Sequence, residues 1–68
     1  MSRLPSSREV VRILEENGFV FISQRGSHSK YRYEKQTVII PADRKEIPMG
    51  TLHSIIRQSG LPRDFFLK

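Results

Sequence analysis

The 68-residue chain has no cysteine. That removes disulfide staples, thiolate nucleophiles and sulfur-rich metal sites together, and it fits a reducing compartment. The opening Met1-Ser2-Arg3-Leu4-Pro5 has no apolar run that could act as a secretory core. Nowhere do the roughly eighteen consecutive apolar residues of a membrane span follow one another. These absences predict a cytoplasmic protein without a membrane partner. Clustered carboxylates and histidines are missing too. Asp43 and Glu46 are interleaved with Arg44 and Lys45, which reads as a solvated, self-neutralising loop, so neither a metal ion nor another cofactor is expected. No repeat, linker or low-complexity tract divides the sequence, and residues 1–68 are expected to form one domain too small to enclose a deep cavity.

What the chain does hold is positive charge. Twelve Lys and Arg stand against seven Asp and Glu, giving a formal net charge of +5. The sequence pI is near 10.3. Such a balance favours a polyanionic partner through attraction and counterion release. Hydrophobic residues make up 37% of the chain, and they are clustered rather than diluted, which argues for a folded core.

Ser6 followed three residues later by Glu9 forms a capping box, and Val10, Ile13 and Leu14 then recur at helical spacing. A first helix is therefore predicted over residues 7–17, with Arg8, Arg12, Glu15 and Glu16 in water and Asn17-Gly18 as the stop. Residues 19–24 are aromatic and β-branched and predict a strand. After the break Arg25-Gly26-Ser27 a second strand is expected over 28–33, and after Glu34-Lys35-Gln36 a third over 37–40, closed by Pro41. Residues 42–48 read as a loop. A second helix over 49–59 buries Leu52, Ile55 and Ile56 and ends at Gly60. Pro62 suits the first turn of a short final helix whose Phe65, Phe66 and Leu67 can close the core. The order α-β-β-β-α with a short C-terminal helix predicts an α+β fold, a three-stranded antiparallel sheet with helices on one face. Phe19, Phe21, Tyr31, Tyr33, Phe65 and Phe66 are expected as core rather than as platforms for stacking bases, since few other large side chains exist to fill the interior.

Strand alternation sets His28, Lys30 and Arg32 on one face and Ser29, Tyr31 and Tyr33 on the other. Because the tyrosines and the helix stripes need one another for burial, the cationic row headed by an imidazole should face solvent, where a phosphate backbone could lie along it. His53 and Arg57, four apart on the second helix, avoid its apolar stripe and read as a solvated face.

Gly26-Ser27-His28 after a strand, Asn17-Gly18-Phe19 before it, and the run Ile47-Pro48-Met49-Gly50-Thr51-Leu52-His53-Ser54-Ile55-Ile56 closely resemble the HicA family of small bacterial and archaeal toxins. Ser7-Arg8-Glu9-Val10-Val11-Arg12-Ile13-Leu14 is similar to that family's first helix, so the resemblance runs almost end to end. It implies a fold like the double-stranded-RNA-binding domain and an RNA-cleaving toxin in which the motif histidine, here His28, is catalytic. It also implies a HicB antitoxin that covers the active surface, the pair repressing its own promoter. The chain departs from the family at one place. Many members carry a second histidine shortly after the proline that closes the third strand, whereas Pro41-Ala42-Asp43-Arg44 stands here, which puts a two-histidine acid and base pair in doubt.

The expected activity is a metal-independent endoribonuclease acting on messenger RNA, with His28 in proton transfer as base or acid and Lys30, Arg32 or Arg25 stabilising the phosphorane charge. Gly50-Thr51 opens the second helix, where free backbone amides and the helix dipole are expected to anchor a substrate phosphate together with Arg44 and Lys45 just upstream, and Ser27 is expected to line the same RNA-binding surface. The alternatives are a non-catalytic RNA-binding module or inactive toxin on the same fold, and, ranked last, a small DNA-binding regulator, for which no clear recognition helix is present.

Overall fold

The computed structural model describes residues 3–67. Its elements are α1 (Ser7–Glu16), β1 (Val20–Arg25), β2 (His28–Tyr33), β3 (Gln36–Pro41), α2 (Met49–Ser59) and a 3-10 turn over Arg63–Phe65. This is the α-β-β-β-α order with a short C-terminal helical turn expected from the sequence. Ser6 caps α1 as predicted: its hydroxyl accepts from the Glu9 amide at 3.1 Å, and the Glu9 carboxylate accepts from the Ser6 amide at 2.9 Å. Those bonds hold the Glu9 carboxyl below its ordinary value, assisted by Arg3 and Arg12. The helix ends at Glu16, one residue before the expected stop, and Asn17 serves as its C-cap.

The strands form a β1-β2-β3 meander in which both neighbouring pairs run antiparallel. Two-residue links join them. Gly26 opens the first link at φ 55°, a left-handed value that a side chain resists. β1 starts and ends one residue later than expected, and β3 extends by one residue at each end to include Gln36 and Pro41.

One face of the sheet supplies Tyr31, Val38 and Ile40 to a core completed by Val10 and Leu14 of α1, Leu52 and Ile55 of α2, Phe19, Ile47 and Phe66. Desolvation there pushes the Tyr31 hydroxyl above its ordinary value, and the nearby Glu15 charge adds to the shift. Ile47 is fully buried although its loop carries four charged residues, because its amide donates to the Pro5 carbonyl at 2.8 Å and ties the loop to the start of α1.

Three of the six aromatics expected as core are not core. Phe21 is 53% exposed, Tyr33 40% and Phe65 41%. Phe21 does lie on the covered face, edge-on to Tyr31 with ring centroids 5.7 Å apart, but β1 is an edge strand beyond the reach of the helices. Tyr33 sits at the far end of β2, tilted against Phe19 at 5.6 Å. Phe65 turns outward from the 3-10 turn while its neighbour Phe66 is buried.

α2 runs antiparallel to β3. Near its C-terminus the Gln58 side-chain oxygen accepts from the Ile39 amide at 3.1 Å, and Gly60 packs against Gln36 at the start of β3. Its N-terminus therefore lies toward the Pro41 end of the sheet, the end that carries His28. Among the described residues no helix is long and apolar enough to cross a membrane.

Candidate active site

The uncovered face of the sheet is set by register. Arg25 of β1, His28 of β2 and Pro41 of β3 lie opposite one another at one end, and Ser23, Lys30 and Ile39 lie opposite one another in the next row on that face. Side chains of directly opposed residues share a face. A β-bulge at Ile22 keeps Ser23 and Arg25 on that side; without the extra residue the end of β1 would turn Gln24 outward in place of Arg25. His28 is held at the sheet end by both neighbours. Its backbone pairs with Arg25 across a two-residue turn, and the carbonyl of Ser27 accepts from the Ala42 amide at 2.6 Å, extending the β2–β3 ladder past the strand end.

These residues surround an open hollow of about 490 Å³ bordered by Ser23, Arg25, His28, Ser29, Lys30 and Ile39. Arg25, His28 and Lys30 are all exposed. The ion pair found among the described residues joins Arg3 to Glu9 and involves none of them. Two cations and an imidazole thus share one opening in which no carboxylate takes part.

The structure does not gather every expected residue there. Arg32 is on the same face but four residues along β2 from His28, about 13 Å at strand rise. Its Nε donates to the Glu34 carbonyl at 2.8 Å, which turns the guanidinium toward the β2–β3 link. Ser27 is exposed in the turn and contributes its backbone to the ladder. Arg44 and Lys45 border a different hollow on the other side of β2. Gly50 and Thr51 occupy the first turn of α2, capped by no side chain, and border neither hollow; the first amide of that helix bonded within it is that of Leu52, at 2.9 Å to the Pro48 carbonyl. His53 and Arg57 are exposed on α2. Asp43 and Glu46 are exposed as well and form no ion pair with their basic neighbours, so the loop is solvated without being paired. Among the described residues no three His, Asp or Glu side chains come together as metal ligands.

Sequence reasoning overlooked Ser7. This residue is buried, its hydroxyl donates to the Pro41 carbonyl and accepts from the Arg44 amide at 3.1 Å, and its own amide donates to the Arg44 carbonyl at 2.9 Å. Ser7 thereby fixes the strand end that backs His28 and the loop that carries Arg44. A serine next to a helix cap gives no sign of partners more than thirty residues away.

The model of one protein family, described as the HicA toxin of bacterial toxin-antitoxin, matches residues 7–61. No curated protein matches the chain.

Proposed function

This chain belongs to the HicA toxin family of bacterial toxin-antitoxin modules, and on that premise we propose that it is an endoribonuclease that cleaves messenger RNA without a metal ion, with His28 moving the proton. Membership makes it the toxin half of a module whose other half is a cognate antitoxin. The observation that carries the catalytic reading is the hollow at the end of β2, where an exposed imidazole stands beside two cations that no carboxylate neutralises.

RNA brings its own nucleophile. The ribose 2′-oxygen attacks the adjacent phosphorus, the P–O2′ bond forms as the P–O5′ bond breaks, and the products end in a 2′,3′-cyclic phosphate and a 5′-hydroxyl. Such a reaction asks the protein for proton transfer and for charge opposite the phosphorane, and an imidazole near neutral pH suits the first. Arg25, paired with His28 across to β1, and Lys30, two residues along β2, supply the second. Arg32, drawn toward Glu34, serves the incoming chain further along the sheet. With Ala42 and Asp43 where many relatives carry a histidine, His28 is the one imidazole of this site. The antitoxin, a HicB-like protein, silences the toxin by covering this open face.

Cleavage of a defined RNA in excess chelator tests the proposal. The parent protein is expected to cut and leave a 2′,3′-cyclic phosphate, and His28→Ala to cut about 10²- to 10⁴-fold more slowly, the usual share of a general acid or base. Equal rates for the two proteins would remove His28 from the chemistry. Binding without cleavage by the parent would favour a non-catalytic RNA-binding module.

A further inference from the structure

On the helix-covered side of the same sheet end lies a second hollow, of about 570 Å³, within the ~300–1,000 Å³ range of small-ligand sites. Val11, Ile40 and Ala42 give it an apolar lining, and Arg8, Arg44 and Lys45 bring cations from α1 and from the loop after β3. Asp43 offsets one of these three charges. None of the cations belongs to the ion pair found among the described residues. Ser7 holds the arrangement at two points, its amide donating to the Arg44 carbonyl and its hydroxyl accepting from the Arg44 amide, which sets Arg8, the next residue, beside Arg44. Ser29 borders both this hollow and the one that contains His28, so the two openings are separated by a single strand end.

An apolar lining beneath unpaired cations matches a nucleotide, whose ribose and base faces are apolar and whose phosphate is anionic. We infer that this hollow is a second nucleotide subsite, with Arg8 as a phosphate ligand, filled by the RNA a short step from the linkage at His28. The inference rests on the ribonuclease reading for its orientation, since the strand drapes over the sheet end from one hollow into the other. It has a consequence for substrate choice. A dinucleotide fills the His28 hollow alone, whereas a longer RNA gains the Arg8 contact.

The test compares the parent with Arg8→Gln and with Arg63→Gln, a variant with the same change of charge at an exposed residue bordering neither hollow. Binding of an uncleavable 2′-O-methylated ten-nucleotide RNA is measured across salt concentrations, and cleavage is measured on an unmodified ten-nucleotide RNA and on a dinucleotide. Arg8→Gln is expected to weaken binding about fivefold. The salt dependence should become shallower by about 0.7 in log–log slope, the share of one phosphate contact on a single strand. KM for the longer RNA should rise at constant kcat while dinucleotide cleavage stays unchanged, and Arg63→Gln should resemble the parent throughout. Equal losses for the two variants, or a loss by Arg8→Gln that is as large on the dinucleotide, would overturn the subsite, as would unchanged RNA binding by Arg8→Gln. If the parent cleaves neither RNA but Arg8→Gln still weakens binding selectively, the ribonuclease reading falls and the subsite stands.

Discussion

The two faces of the sheet are made by the same three strands and do opposite work. On the covered face Tyr31, Val38 and Ile40 are buried against both helices. On the open face His28, Lys30 and Arg25 meet water around a shallow hollow. Stability is concentrated on the first face because apolar area leaves water there. The second contributes little to stability and is correspondingly free to carry charge. In a chain of 68 residues this division is economical, since an enclosed site would need a second layer of structure.

The division can be broken by substituting neighbours. Ile40 is 1% exposed and Ile39 is 37% exposed, on opposite faces of β3. Ile40→Ala should cost about 2–5 kcal/mol of unfolding free energy, a large part of the ~5–15 kcal/mol typical of a domain, while Ile39→Ala should cost well under that. Chemical denaturation of both variants checks this, and equal costs would mean that the open face is part of the core. Ser7→Ala comes next in size. It strips the Pro41 carbonyl and the Arg44 amide of a buried partner and should cost about 1–3 kcal/mol, with RNA cleavage reduced in protein that remains folded because the strand end backing His28 loosens. A Ser7→Ala variant with normal stability and normal cleavage would separate that staple from the site. The smallest effect belongs to Glu9, whose carboxyl is held below its ordinary value by the Ser6 cap. A lowered folded value means that its contribution is present above about pH 4.5 and disappears as pH falls through the folded value. Glu9→Gln should therefore show a shallower loss of thermal stability on acidification below that point than the parent does, and identical acid profiles would remove Glu9 from the pH response.

Local chemistry made much of this legible in the sequence. The Ser6–Glu9 capping box, the break at Arg25-Gly26-Ser27 and the alternation of β2 each announce themselves within a few residues, and they were enough to set the bounds of β2 and the open face of His28. What escaped depends on distant partners. Alternation assigns Phe21 to a face but cannot tell that β1 lies beyond the helices, so its exposure was not foreseen. The burial of Ile47 follows from a bond to Pro5, and the placement of Arg44 beside Arg8 follows from Ser7; both join segments that are far apart in the chain. Arg44 and Lys45 were marked by charge and by their place before α2, yet they border a separate hollow from His28, a fact of topology that spacing does not encode.

The central claim is that the open face supplies a proton carrier and positive charge, and that the attacking oxygen comes from the substrate. It is tested most directly with an RNA that carries a single 2′-deoxyribose on the 5′ side of the linkage the parent protein cuts. That linkage should survive intact while the all-ribose RNA is cleaved under the same conditions. Cleavage at the deoxy position at a comparable rate would show that another nucleophile does the work and would contradict the account.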